Sequence, residues 1–275
     1  MEEDIPSGSL SPLHGFGFEV RAVRLGRKLT QKHLAKGSGY SEAYVSRVEK
    51  GQLVPSERFA RGCDVVFGTH GVFERLRRRL EESDHPLWFV PYVQLEEKAE
   101  RILDFSPSLV MGLLQTEDYA RAIFRAAHPR AAEDVIEGKV AARLRRREIF
   151  KREDPPALWV VLHEAALRTA VGGSAVMAAQ LEQLLGAMER PHVDLQVVRF
   201  ASGAPDGRLR PFTLLGMPDA ATLLFRDAPH GGGRVYDAAA MVGPATEIYD
   251  RLRAHASSPD DSAAFVKSLL KEYRS

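Results

Sequence analysis

The sequence predicts a two-domain protein: a small all-α bundle followed by an α+β domain with a small sheet. Three observations carry this. Between residues 16 and 67 apolar residues recur at helical spacing, and single glycines break the pattern. The stretch Ser83–Pro91 (SDHPLWFVP) holds two prolines and interrupts any regular element. Beyond it, runs with strand periodicity alternate with helical ones. The division follows: a disordered lead over 1–14, a helical domain over 15–82, a linker over 83–91 and an α+β domain over 92–275.

Composition narrows the class. At 44% hydrophobic and 27% charged residues, the chain is too apolar for its charge to stay disordered. Cys63 is the sole cysteine, so no internal disulfide can form, which fits a reducing compartment. No apolar run reaches the roughly 18 residues of a membrane helix. The start MEEDIPSGS is acidic, unlike a signal peptide, so a cytoplasmic protein is expected. The net charge of +1 conceals an asymmetry. Residues 17–80 carry 14 Lys/Arg against 6 Asp/Glu, whereas the rest of the chain carries 24 against 31. A basic unit attached to an acidic remainder is the balance expected of a nucleic-acid-binding domain with a separate partner domain.

Within the first domain, Phe16, Val20 and Val23 mark a leading helix. Thr30 suits the N-cap of a helix that opens at Gln31 and buries Leu34 and Ala35. Gly39 suits a tight turn that needs positive φ. Ser41 caps the next helix, Val45 and Val48 form its inner face, and Gly51 ends it. Phe59, Cys63, Val66 and Phe67 supply a further helix after Ser56. Residues 71–82 supply another, with Val72, Phe73, Leu76 and Leu80 on one stripe. In the second domain, helices are expected over 92–104, 116–127 and 131–152, then over Ser174–Glu189 after a turn at Gly172-Gly173. Strands are expected at Leu158–His163, Val193–Val197, Arg210–Gly216, Ala221–Arg226 and Arg234–Tyr236. Two helices close the chain; in the second, Ser258 caps, Pro259 takes the first position, and Asp260 and Asp261 favour the positive helix end.

Two short helices joined by a glycine turn, with apolar residues confined to the inner face, make a helix-turn-helix layout. With its residues LTQ…LA…G.S…VSRVEKG…PS, this stretch resembles the phage-repressor-like, XRE-type helix-turn-helix. The resemblance implies that Ser41–Lys50 is the helix that enters the major groove. Its outward residues Glu42, Ala43, Ser46 and Arg47 are the base-reading candidates. By groove chemistry Arg47 suits guanine, Glu42 the cytosine amino group and Ala43 a thymine methyl. Gln31, Lys28, Ser41 and Lys50 are the phosphate-contacting candidates. Tyr44 either joins them or covers the core. Three departures from the family stand out. Lys28 occupies a turn position usually held by glycine, a left-handed strain of about 1 kcal/mol. His33 replaces the capping-box Glu and is expected to lose one end cap. Gly37 sits inside a helix, at a cost of up to about 1 kcal/mol.

In the second domain GLLQTEDYAR (112–121) stands out, with Thr116 as a helix cap. Together with LWVVLHEAALR, VGG, QLEQLL, PFTLL and DRLRAHASSPDDS, it resembles the C-terminal domain of a large actinobacterial regulator family of the WhiJ type. A single recognition helix reads only a few base pairs, so a repressor bound as a homodimer to an inverted-repeat operator in double-stranded DNA, and nucleoid-associated when bound, is expected. The resemblance of the second domain implies a DNA-binding regulator. It also implies that the second domain binds a small protein encoded by a neighbouring gene, antitoxin-like, or senses a small molecule.

Other chemistry finds little support. His163-Glu164 lacks the second His of a zinc helix, since residue 167 is Leu. Cys63 lies on an apolar helix face and reads as core. Gly231–Gly233 lacks the spacing and Lys of a phosphate loop and reads as a plain loop, and no nucleophile elbow surrounds Ser174, which reads as a helix cap. The Arg143–Arg147 cluster reads as a solvated face rather than an extended DNA footprint. Trp88 and Trp159 read as core. No catalytic residue, metal or cofactor is expected.

Overall fold

The computed structural model describes residues 12–81, 88–203, 210–218, 220–228 and 232–275. It divides into two compact units, Met1–Pro91 and Tyr92–Ser275.

The first unit is all-helical: α1 (Pro12–Gly26), α2 (Gln31–Ser38), α3 (Glu42–Glu49), α4 (Glu57–Phe67) and α5 (Val72–Glu81). Helix α1 begins at Pro12, inside the stretch expected as a lead, and Leu13 is already buried. The core gathers Leu13, Phe16 and Val20 with Leu34, Val45, Val48, Phe59, Cys63, Phe67 and Phe73. Burial pushes the Cys63 thiol well up, as suits a core residue. Val72 departs from its expected inward stripe and is 37% exposed; Phe73 and Leu76 face the core, while the Leu80 side chain lies outside the described residues. Asp64 fixes the entry to α5, accepting hydrogen bonds from the Thr69 hydroxyl and the Phe73 and Glu74 amides at 2.6, 3.0 and 2.9 Å. Burial opposes its charge, but these donors prevail and hold its carboxyl below the usual range.

Gly37 has a packing reason that helix propensity alone does not supply. A Cβ there would stand 2.5 Å from Cγ2 of Val66 on α4, so only glycine lets α2 and α4 approach this closely.

The second unit is α+β. Helix α6 (Val90–Glu96) starts in the last two residues of the first unit and is followed by strand β1 (Arg101–Ser106). The helix expected over 92–104 therefore ends early. Ile102, Leu103 and Phe105 fit either period over so short a run, and pairing with β2 and β4 on either side decides for the strand. Next come α7 (Glu117–Ala127), α8 (Glu133–Arg145), β2 (Ala157–His163), α9 (Glu164–Arg168), α10 (Ser174–Met188) and β3 (Val193–Val198). Strands β4 (Phe212–Gly216), β5 (Leu223–Ala228) and β6 (Gly232–Tyr236) precede α11 (Ala239–His255) and α12 (Pro259–Arg274).

The sheet has six strands in the order β3-β2-β1-β4-β5-β6. β1, β2 and β3 run parallel; β4, β5 and β6 are antiparallel to their neighbours. Phe105, Val161, Val198, Leu214 and Leu224 bury one face against Tyr249 and Leu252 of α11. Polar residues in β3 do not all face outward: Asp194 is exposed, but Gln196 is buried, accepting from Trp159 Nε1 at 3.0 Å and donating to the Ser257 carbonyl at 2.9 Å.

Three local expectations in this unit are corrected. Gly232 and Gly233 belong to strand β6 rather than to a loop, while Gly231 lies outside the described residues. The N-cap of α10 is Gly173, with no side-chain bond, and Ser174 is already helical. The Arg143–Arg147 face is solvated only in part: Arg145 is exposed, but Arg146 is buried and Arg143 and Arg147 are half-buried. Arg146 is buried in a two-pronged pair with Glu96, both contacts 2.7 Å; burial opposes its charge, but the Glu96 carboxylate prevails and raises its pKa. Arg143 donates to Gln115 Oε1 at 2.7 Å and lies 4.5 Å from the centre of the Phe124 ring. The chain folds Arg143 and Arg146 inward because Glu96, Gln115 and Phe124 arrive there from distant sequence.

The GLLQTEDYAR string is structural. Gln115 Nε2 donates to the Val110 carbonyl at 2.6 Å, and Gln180 of α10 accepts from the Thr116 amide at 2.7 Å while donating to the Leu114 carbonyl at 2.8 Å. Each of these buried backbone groups lacks a partner within its own element, so the two glutamines supply one.

Candidate nucleic-acid interface

The first unit arranges α2 and α3 as the sequence pattern implies. The Thr30 hydroxyl accepts from the His33 amide at 3.2 Å and caps α2. His33 completes the box rather than breaking it: its Nδ1 accepts from the Thr30 amide at 3.3 Å, the role a Glu usually has. The expected loss of an end cap is thereby corrected, because a neutral imidazole nitrogen is an acceptor that reaches as far back as a carboxylate. Gly39 takes the left-handed turn with φ 77°, and Ser41 caps α3 by accepting from the Tyr44 amide at 3.2 Å. Lys28 carries the predicted strain, with φ 56°.

Helix α3 is two-faced. Val45 and Val48 are fully buried, while Glu42, Ala43 and Arg47 are exposed and Ser46 is half-buried beside them. Ser41, Lys50 and Lys28 are also exposed, on the cap, the end of α3 and the turn before α2. Among the described residues the Glu42, Arg47, Lys50 and Lys28 side chains form no hydrogen bond or ion pair within the chain, which leaves their charges available to a partner. Tyr44 faces inward. Its ring packs tilted against Tyr40 and edge-on against Phe59, at centroid distances of 4.3 and 5.1 Å, and its hydroxyl accepts from the Ser56 amide at 2.9 Å. Of its two expected roles, covering the core is the one this geometry fills.

Gln31 stands at the start of α2, where its Nε2 donates to Glu49 Oε2 at 2.8 Å. Glu49, the last residue of α3, is also gripped by Arg24 of α1 through Nε at 2.6 Å and Nη2 at 2.9 Å. The carboxylate at 2.6 Å raises the Arg24 pKa against the opposing effect of burial. Arg24 further donates from Nη1 to the Leu29 carbonyl at 2.9 Å, beside the strained Lys28. Arg24 and Glu49 escape sequence inspection because both are charged. The available signal is spacing: Glu49 lies four residues after Val45, and Arg24 four after Val20, each on a buried stripe.

No described helix is long and apolar enough to cross a membrane. Among the described residues no group of His, Cys, Asp or Glu is placed to hold a metal ion. His163 acts as a helix cap, its Nδ1 accepting from the Ala165 amide at 3.2 Å.

Comparison with known families yields two matches. Residues 16–80 match a family described as Helix-turn-helix domain, and residues 89–268 match one described as Domain of unknown function (DUF5753). No curated protein and no solved structure matches the chain.

Proposed function

From a chain that belongs to the DUF5753 family and carries a helix-turn-helix domain ahead of it, we propose a sequence-specific transcriptional repressor that acts as a homodimer on an inverted repeat. The helix-turn-helix domain itself makes the chain a regulator-like protein directed to DNA. The observation that carries the finer reading is the outward face of α3. It offers Arg47, Glu42 and Ala43 free of intrachain side-chain bonds, the donor, acceptor and methyl contacts that major-groove base edges take. Ser46 adds a hydroxyl on the same side. Lys28, Ser41, Gln31 and Lys50 flank it as phosphate contacts that set register. One helix reads only a few base pairs, so a twofold pair is the economical route to a usable site.

The second unit, in this reading, binds a small partner protein or a ligand and so controls DNA occupancy. The acidic balance outside residues 17–80 suits a basic partner. The protein works in the cytoplasm, at the nucleoid when bound.

Fluorescence anisotropy with labelled DNA from upstream of the protein's own gene tests the first claim. The proposal expects tight, salt-sensitive binding that a scrambled duplex does not match; equal affinity for both at physiological salt contradicts it.

A further inference from the structure

The two edges of the six-stranded sheet are treated differently by the fold. At the β3 edge, Val197 is already paired on its outer side: its carbonyl accepts from the Ser257 amide and its amide donates to the Ser262 hydroxyl, both at 2.9 Å. That edge is closed to another strand. At the opposite edge, β6 bonds through its main chain to β5 alone among the described residues. An edge strand with free amides and carbonyls is a template for a further strand.

We propose that this edge pairs antiparallel with β6 of a second copy of the chain, with the twofold axis passing through Val235. The choice of a second copy follows from the strand's own residues. A twofold axis normal to a sheet keeps every side chain on its own face, and directly opposed residues must share a face. The axis must therefore pass through a residue position, not between two. Centred on Gly233, each opposed pair within β6 (Gly233 with itself, Gly232 with Arg234) contains a glycine, so no two side chains meet there. Centred on Arg234 it sets two guanidinium groups face to face, although Arg234 already lies opposite Arg226 in the β5 pairing. Centred on Tyr236 it carries most of the pairing beyond the end of the strand. Centred on Val235 it sets Val235 against its counterpart, each Arg234 against a Tyr236 ring and each Gly233 opposite Asp237. Arg234 now lies 5.9 Å from its own Tyr236 ring, near the limit of a cation–π contact, so a second ring on the other side adds to a weak one.

The blocked β3 edge gives this pairing its closure. With one open edge among the described residues, β6 can join only another β6, which yields a closed dimer of two sheets rather than a growing ribbon. A five-residue strand buries little area, so the contact is a modest one, complemented when DNA holds two copies together. The proposal rests on the DNA reading only for the expectation of twofold symmetry.

Cysteine cross-linking in the full chain tests it. Cys63 is fully buried, with its thiol pushed well up by that burial, and stays inert. In the proposed register residue 235 lies directly opposite itself, roughly 5 Å away. Residue 234 meets its counterpart only diagonally, at about 7–8 Å, beyond disulfide reach. Under mild oxidation without DNA, Val235→Cys is expected to double in mass to a covalent dimer, and Arg234→Cys to remain monomeric. A melting curve for each variant checks that both are folded. No covalent dimer from folded Val235→Cys, or equal yields at the two positions, overturns the interface. The DNA reading is measured separately on the unaltered chain, so operator binding alongside a failed cross-link leaves that reading standing and removes this one.

Discussion

Arg24 and Glu49 join α1 to the end of α3 through two contacts of 2.6 and 2.9 Å, with side chains only 8% and 3% exposed. Removing one partner from such a pair strands the other. Glu49→Ala is expected to lower the stability of the first unit by about 3–5 kcal/mol. Replacing both residues with apolar ones (Arg24→Met with Glu49→Leu) should recover most of that loss. Hydrogen exchange of the Val45 and Val48 amides reads both effects, since it reports the opening of this unit by itself. A double variant no better than the single one contradicts the account.

Arg47 and Lys50 occupy different places on α3 and predict different losses. Arg47→Ala should cost about 1–3 kcal/mol on the preferred sequence and flatten discrimination at one base-pair position. Lys50→Ala should weaken all sequences alike and reduce the salt dependence by about one phosphate contact. Titrations of matched and mismatched duplexes at several salt concentrations separate the two. A uniform loss from Arg47→Ala would remove it from base reading.

His33 caps α2 with its ring nitrogen. His33→Ala is expected to cost about 0.5–2 kcal/mol, the range for a lost helix cap. His33→Gln keeps an acceptor at the same position and should stay near the parent value. Thermal melts of the two variants decide; if they lose equally, the ring contributes something other than its acceptor.

The second unit carries two carboxyls that pull its acid stability in opposite directions. Burial pushes Asp104 up to about 6, against the lowering effect of hydrogen bonds from Ser106 and Thr213. Its stabilising contribution is therefore complete below the unfolded value near 4 and is lost as pH rises through 6. Glu164 runs the other way. Burial opposes its charge, but Arg168, the Phe200 amide and Arg199 hold it down to about 2. Its contribution is present above the unfolded value near 4.5 and is lost as pH falls toward 2. Stability of this unit should peak at mildly acid pH, between the two windows. Asp104→Asn should flatten the alkaline side only, and Glu164→Gln the acid side only. Denaturation midpoints from pH 3 to 8 check this, and a parent profile that rises steadily to pH 8 contradicts the Asp104 part.

Much of the first unit was legible in the sequence because its signals are local. Thr30, Ser41 and Ser56 cap the helices that the pattern marks, and Gly39 turns where it should. His33 and Gly37 were legible only as oddities. The bond to the Thr30 amide and the approach of Val66 supply their reasons, and neither reason is a property of the residue type alone. In the second unit the helices after Thr116 and Ser258 and the strand ending at His163 could be read from caps and apolar runs. β1 could not, since Ile102–Phe105 fits two periods and its neighbours β2 and β4 come from far along the chain.

By itself the sequence determined the class of each domain, the two-faced character of α3 and the basic charge of the unit that carries it. Caps, turns and apolar periods act over a few residues, and charge is additive along a chain. Only the tertiary structure decided that Glu49 is gripped by Arg24 and Gln31, that Arg143 and Arg146 turn inward, and that, among the described residues, one edge of the sheet is closed while the other is open. A buried charge or a strand edge is settled by whichever group arrives from elsewhere in the chain to pair with it, and spacing in sequence carries no record of that arrival.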